Sequence, residues 1–574
     1  MKDAKKFLLV AQWVFVNYPI FSQAHHSLVI HEIMADPSPA VQLPAYEWIE
    51  IKNNSKEPIQ LLGWKLVVGT SVSGSFPTYL LLPDSLLIIC SSSAAMAMKN
   101  YGNTLAIASF PLLSNEGETI SIRAPNGRTN HAVTYSPTLY GSAWKQEGGW
   151  SLEMIDSRYP CWNPDNWLAS IDNKGGTPGR INSHTGTFII PATIKPTRAY
   201  AIDSTTITVV FNRPLDSASS VQVSNYVFNN AYSPKQIRVA APSYTQAIVL
   251  LDKPLLPDTI IKIDIKNIVD CQGGKMSESI PVYTGLASTA QKSSLYFNEI
   301  LFNPRPNAYD FIEIGNKSKQ LIDLSTLLIS SRNSAGMMGT AYKIAETPLL
   351  LFPSELLAFT EDTFSLKREY LISLLAKIAE VKQLPLLPDE EGTLVLLNIH
   401  GEIIDELHYY DSWHFPLLQS TEGVSLERID REAPTNTPTN WHSAASTEGF
   451  ATPGRKNSQE KLALTPTAEY EVVPGVFSPD GDGWQDYCQL LYKTNQNGLM
   501  ASITVVDAAG RTVRQLIPQA LLATAGYFTW NGNNEQGQVC PPGAYLFIIQ
   551  QFDLKGKTKT LRVPIVLTTS FRKV

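Results

Sequence analysis

Two long segments of this chain are the same text written twice. His31-Glu32-Ile33-Met34-Ala35-Asp36-Pro37, followed by Tyr46-Glu47-Trp48-Ile49-Glu50-Ile51-Lys52-Asn53-Asn54-Ser55, returns as Asn298-Glu299-Ile300-Leu301-Phe302-Asn303-Pro304 and Tyr309-Asp310-Phe311-Ile312-Glu313-Ile314-Gly315-Asn316-Lys317-Ser318. Each copy also closes alike. Ser151-Leu152-Glu153, Asn166-Trp167 and Thr177-Pro178-Gly179-Arg180 match Ser425-Leu426-Glu427, Asn440-Trp441 and Thr452-Pro453-Gly454-Arg455. Glu313 follows Glu50 by 263 positions and Trp441 follows Trp167 by 274. So small a drift means two whole domains, and a repeat on this scale fixes the architecture before any local reading.

With 574 residues the chain has room for about four domains at roughly 100–200 residues each. Hydrophobic residues at 44% and charged residues at 17% support packed cores and exclude wholesale disorder. A formal charge of −6, with no dense Lys/Arg run, gives no electrostatic footprint for nucleic acid or an anionic membrane. The N-terminus reads as a signal peptide over residues 1–24. Lys2, Lys5 and Lys6 precede an apolar stretch from Phe7 to Val16, and Ser22-Gln23-Ala24 supplies the small-x-small cleavage site. That stretch is too short to span a bilayer, and no later one reaches the length of a transmembrane helix. An exported chain, extracellular or at the cell surface in association with the outer membrane, is expected. His25 follows the cleavage site, so no cysteine is placed there for lipid attachment. Five cysteines cannot all pair. Cys90 and Cys161 fall in one expected domain, Cys488 and Cys540 in another, and Cys271 stands alone. Export permits either bridge, and spacing alone cannot decide. No Cys-x-x-Cys supports zinc.

Short β-type runs bounded by turn residues dominate. In the first copy they are Leu28–Ile30, Trp48–Ile51, Trp64–Val68, Leu86–Cys90, Thr119–Ile122 and Ala132–Tyr135, and the second copy keeps their order. The fold class expected is all-β, four tandem Ig-like β-sandwiches, with a helical insertion in the third. That insertion is read over Ser365–Val381, where Leu366, Tyr370, Leu374 and Ile378 recur at helical spacing, widened by Leu371 and Leu375. Ala94–Tyr101 holds the same place in the first copy as a shorter helix. Such an insertion either binds a partner or covers a sheet edge.

The Glu-Ile opening, Asp36-Pro37, Trp48-Ile49-Glu50-Ile51, Asn53, Gly63-Trp64 and the closing Thr-Pro-Gly resemble the lamin-tail domain of exported bacterial proteins, over residues 25–185 and again over 293–457. The second copy departs in having Asn303 for Asp36 and Thr326-Leu327 for Gly63-Trp64. Residues 186–287, through Phe211-Asn212-Arg213-Pro214-Leu215-Asp216 and Ile268-Val269-Asp270-Cys271-Gln272-Gly273, are similar to bacterial Ig-like domains. Residues 464–570, through Phe477-Ser478-Pro479-Asp480-Gly481-Asp482-Gly483, Trp530-Asn531-Gly532 and Pro542-Gly543-Ala544-Tyr545, resemble the Ig-like domain of flagellar hook-capping proteins and the gliding-motility-associated C-terminal modules of type IX-secreting bacteria. The last resemblance implies a secretion and anchoring role.

Asp480, Asp482 and Asp486 are the candidate metal ligands, for Ca²⁺. Alternating carboxylates separated by glycines can wrap oxygens around a hard cation. The bidentate glutamate of an EF-hand is missing, and Asp-Gly pairs equally make a tight turn. Glu32, Glu47 and Glu50, with Glu299, Asp310 and Glu313, form a repeated acidic set. Strand alternation puts Glu50 on one face with Trp48, which reads as a solvated or edge-lining face. Trp167 and Trp441 are read as core-sealing in preference to a carbohydrate platform. No His-Glu-x-x-His, no Gly-x-Ser-x-Gly and no phosphate-cradling loop occurs. The expectation is therefore a non-catalytic surface protein that binds an envelope protein or a glycan. The alternatives are an accessory part of an exported nuclease or phosphoesterase, suggested by the company such modules keep in the family, and a type IX cargo anchored by its last domain.

Overall fold

The computed structural model describes residues 26–569 apart from 163, 188–192, 230–231, 374–375 and 462–468. The expected signal peptide, Leu374 and Leu375 lie outside the described residues. The chain divides into two compact units, residues 1–254 with 261–284 and residues 255–260 with 285–574. No helix among the described residues is long and apolar enough to cross a membrane.

In the first unit, β1 (Leu28–Met34), β2 (Trp48–Asn53), β3 (Leu86–Cys90), β4 (Thr104–Ala106), β5 (Leu152–Met154) and β6 (Trp167–Ala169) form a six-stranded sheet in the order β6-β5-β1-β2-β3-β4. Its partner sheet holds Thr129–Tyr135, Glu118–Arg123, Lys65–Val68 and Ser71–Val72. Between the two, Ile49, Ile51 and Leu87 meet Leu66, Ile120 and Val133 around Trp64 and Trp167. The back of the six-stranded sheet is covered too. There Met34, Trp48, Ile88 and Cys90 pack under Ala94 and Met98 at the short helix α1 (Ala95–Met98). This overturns the expected solvated face: Trp48 and Glu50 do share a face, and both are fully buried. A sheet covered on both sides has no solvated face to give its acidic residues.

The second unit opens with the same design. Strands β7 (Leu295–Leu301), β8 (Phe311–Asn316), β9 (Leu356–Thr360), β10 (Ile378–Glu380), β11 (Leu426–Arg428) and β12 (Trp441–Ser443) pair in the order β12-β11-β7-β8-β9-β10. The correspondence extends to the parallel edge pairs, β3 with β4 and β9 with β10. The helical insertion is shorter than its periodicity predicts. Helix α2 spans Thr363–Glu369, started by Asp362, whose side chain accepts from the amides of Phe364 and Ser365. It stops because Tyr370 is extended, with its hydroxyl donating to the Gly423 carbonyl and its ring against Phe311. Ile378–Glu380 then serves as strand β10.

The insert in the first unit is itself a pair of sheets. One holds Pro196–Ala201, Thr206–Phe211, Gln246–Leu251 and Pro234–Val239, and the other Tyr226–Phe228, Ile261–Ile265 and Ile280–Thr284. It is bonded to the first sandwich by a disulfide, Cys161–Cys271. Among the described residues neither pairing within one expected domain occurs, and Cys90, Cys488 and Cys540 are buried thiols. Beside the bridge, buried Arg213 stacks over Trp162 at 5.0 Å and reaches Asp165 at 3.4 Å and Asp270 at 3.6 Å. The last sandwich packs a five-stranded and a three-stranded sheet around Trp530, with Phe477 and Tyr545 edge-on to it. It seats on the third sandwich through Met500 and Leu521, which close over Phe415.

Candidate functional site

Three glutamates stand side by side across neighbouring strands in each repeat. Glu32 of β1 pairs with Glu50 of β2 on one side and Glu153 of β5 on the other. Glu299 pairs in the same way with Glu313 and Glu427. All six are fully buried. A bulge aims them. Ile30 pairs with Ile51 and Glu32 with Glu50, leaving His31 as the extra residue, and Asn298 is the extra residue between Phe297 and Glu299.

The row receives the closing Thr-Pro-Gly loop. In the first repeat the Thr177 amide donates to Glu32 (2.7 Å), the Gly179 amide to Glu50 (2.6 Å), and the Ser183 amide and hydroxyl to Glu153 (each 2.7 Å). Ser151 adds its hydroxyl to Glu32 at 2.6 Å. The second repeat repeats this with Thr452 on Glu299 (2.8 Å), Gly454 on Glu313 (2.5 Å), and Ser458 on Glu427 (2.7 Å). Asn182 and Asn457 brace the loop by donating to the strand carbonyls of His31 and Met154, and of Asn298 and Arg428. The signature residues thus turn a surface loop into a lid bonded to the sheet. Removing one carboxylate would strand several buried donors at once.

Burial favours the protonated form of Glu32, Glu50, Glu299, Glu313 and Glu427. Burial raises Glu50 and Glu299 to about 8, and repulsion from Glu153 and from Glu427 respectively pushes the same way. Burial likewise pushes Glu32, Glu313 and Glu427 up. The hydrogen bonds call for one such proton in each repeat. Thr177 Oγ1 lies 2.9 Å from Glu153 and 3.2 Å from Glu32, and Thr452 Oγ1 lies 2.6 Å from Glu427 and 3.1 Å from Glu299. One hydroxyl has one proton to give, so one carboxyl of each pair must donate in return. His31 Nδ1 sits 3.0 Å from Glu50, and burial lowers the imidazole to about 3. This contact is therefore a neutral hydrogen bond, and Asn298 makes its counterpart to Glu313 at 2.6 Å.

The loop preceding β6 and β12 is held by different chemistry in the two repeats. His131 accepts from the Ile30 amide and contacts the Pro160 carbonyl. Its counterpart Asp405 accepts from Phe297 and from Thr435. Where the first repeat has Met154 and the disulfide at Cys161, the second has buried Arg428, which donates to Phe297, Thr435, Asp430 and Ala433.

Other candidates gather less. Asp480, Asp482 and Asp486 place one carboxylate oxygen each within 4.8 Å of one another, the one such set of three ligand-type residues among the described residues. Asp486 accepts from the amides of Gly481 and Gly483, Asp480 from Asp482, and Asp482 from Trp484. The turn and the metal reading thus use the same side chains, and Oδ2 of Asp480 and of Asp482 remains for a cation. A cleft of ≈ 760 Å³ lies between the first sandwich and the insert. Its Arg158 is tied to Asp156, and its Asp216 caps Ser219. No nucleophile and base meet there among the described contacts. Asp310 and Glu47 lie outside the glutamate row. Burial raises both, and Glu47 accepts from the Leu113 amide at 3.0 Å. Trp167 and Trp441 are buried.

The family model described as Lamin Tail Domain matches residues 22–137. That span ends before β5, β6 and the closing loop, which the structure makes part of the same sandwich. No curated protein matches the chain. Among solved structures, the bacterial S-layer protein SbsC is 12% identical, with 66% of this chain and 55% of that one covered and a TM-score of 0.16. A DUF4876 family protein from Bacteroides thetaiotaomicron is 12% identical over 40% of this chain and 89% of that one, with a TM-score of 0.17. PorZ, a surface component of the type IX secretion system of Porphyromonas gingivalis, is 10% identical over 88% and 74%, with a TM-score of 0.15. The chain spans about half the length of the S-layer structures it matches, 44% and 55%. At such scores these likenesses bear on neither arrangement nor activity.

Proposed function

We propose that this chain is an exported, non-catalytic binding and structural protein of the cell surface. It is read as two lamin-tail-like sandwiches (25–185 and 293–457), an Ig-like spacer (186–287) and a C-terminal sandwich (464–570) that directs secretion and anchoring. One observation carries the reading: the six glutamates that the two repeats align across their sheets are all buried and all engaged in holding lids shut. A general acid or base must reach its substrate, and these are sealed from solvent. The family match over residues 22–137 supports the lamin-tail part of the reading. The ligand class is an envelope protein or glycan. Purified mature chain is expected to leave duplex DNA and p-nitrophenyl phosphate intact, with and without Ca²⁺ or Mg²⁺. Turnover that follows the chain through purification would overturn the non-catalytic reading. Loss of surface display on deleting residues 464–574 tests the targeting role, and unchanged display would remove it.

The loop at Asp480, Asp482 and Asp486 is read as a weak Ca²⁺ site, favoured by the convergence of its oxygens. Calorimetric titration with CaCl₂ should show one site in the range of extracellular modules, roughly 10⁻⁴–10⁻³ M, that Asp482→Asn removes. A flat titration would leave the loop as a turn.

A further inference from the structure

The duplicated sandwich is its own control, because a face covered in one copy can be inspected in the other. In the second unit the edge strand β12 is covered by the last sandwich. His442 points outward from β12 and packs against Phe415, and a Cβ on Gly498 would lie 2.9 Å from its Nε2. Leu418 and Phe552 flank the apolar seam of Phe415, Met500 and Leu521. Ser446 exchanges hydrogen bonds with the amide and carbonyl of Leu521, and Gln459 donates to the Leu522 carbonyl. An edge strand covered in this way cannot pair with other chains.

In the first repeat the matching edge exposes larger apolar side chains at three positions. Counting from the shared Trp167 and Trp441, Trp144 stands where Leu418 does, Leu168 where His442 does, and Ile171 where Ala445 does. Ala445 is buried, whereas Trp144 is 57% exposed, Leu168 37% and Ile171 61%. Lys145 ties Trp144 to the β6 edge. Lys145 donates to the Ser170 carbonyl at 2.6 Å and lies 4.7 Å over Trp150, which Trp144 meets edge-on at 4.9 Å. An exposed apolar patch on a sheet edge marks an interaction site, and the sister copy says what shape of partner fits it.

We propose that the outer face of β6, with Trp144 and Ile171, is a docking surface for a β-sandwich domain of another chain that offers an apolar edge like that of Met500, Leu521 and Phe552. This gives the binding reading a partner class, and it stands whether or not the chain acts on a substrate. The last sandwich is the available probe. A donor form of the full chain carries Phe415→Asp, which unseats that sandwich, with Trp144→Asp and Ile171→Asp, which disable its own first face. His442→Asp replaces Phe415→Asp if the latter fails to fold. Titrated into the native chain, the labelled donor should bind saturably, and binding should weaken at least tenfold when the acceptor carries the exposed substitutions Trp144→Asp and Ile171→Asp. No binding to the native chain by a folded donor, or equal binding to both acceptors, would overturn the proposal. Hydrolytic activity of the chain would leave it standing.

Discussion

Raising the pH from 7 to 9 should loosen the first sandwich, and the share due to Glu50 can be worked out. Its carboxyl titrates near 4.5 when exposed and at about 8 in the fold, chiefly through burial. A group raised by folding contributes stability that is complete below its unfolded value and is lost as pH climbs through its folded value. The loss due to Glu50 between pH 7 and 9 is about 1.4 kcal/mol, which lowers the melting temperature of a sandwich this size by roughly 3–6 °C. His31 runs the opposite way, since its buried neutral ring gains stability as pH rises from about 3 to its ordinary 6.5. That contribution is over before pH 7. In the second unit Asp310, raised to about 7, adds to the slope of Glu299, so the first unit gives the cleaner reading. Scanning calorimetry in low salt over this range is the assay, with Glu50→Gln as the control that keeps the shape and removes the titration. A first-unit transition that is flat or rises from pH 7 to 9, or the same slope in Glu50→Gln, would refute the reasoning.

Thr452→Val removes the hydroxyl shared by Glu299 and Glu427 and should cost about 1–3 kcal/mol in the second unit, because buried Oε2 of Glu299 and Oε1 of Glu427 lose their partner. Chemical denaturation measures it, and Thr177→Val should do the same in the first unit. Cys161→Ser with Cys271→Ser opens a loop of 110 residues. Chain entropy puts an upper bound near 4–5 kcal/mol on that loss, to be read as a lowered first-unit transition that reductant reproduces in the native chain. Arg428→Met, which copies the first repeat's Met154 without supplying a disulfide, removes one donor each from the carbonyls of Phe297, Asp430 and Ala433. It should destabilise the second unit by about 2 kcal/mol or more, and stability unchanged within error would contradict the role given to Arg428.

The repeat, the strand order and the all-β class were legible because hydrophobic runs, turn residues and duplication all point the same way. Four features were not. Period-two reading of a strand fails at a bulge, so nothing local revealed that His31 and Glu32 share a destination with Glu50. The glutamates looked solvent-facing because the cover over them, residues 177–183 and α1, is distant in sequence from β1 and β2. The stripe from Leu366 to Ile378 promised a longer helix, but pairing of Ile378–Glu380 with β9 and the anchoring of Tyr370 outweigh a weak local preference. The Cys161–Cys271 bridge crosses a domain boundary, where spacing within either domain is no guide. One signal was present and could have been weighted more: Thr-Pro-Gly recurs wherever the glutamates recur, as a loop and its acceptors must.

The central claim is that the repeated glutamates bolt the closing loops to the sheet, with Glu50 and Glu299 protonated at neutral pH. Side-chain ¹³C NMR of the mature chain labelled at glutamate Cδ, followed from pH 4 to 10, tests this directly. Glu50 and Glu299 should titrate near 8, assigned by loss of each resonance in Glu50→Gln and Glu299→Gln. Glutamates that are all ionised by pH 6 would contradict the account.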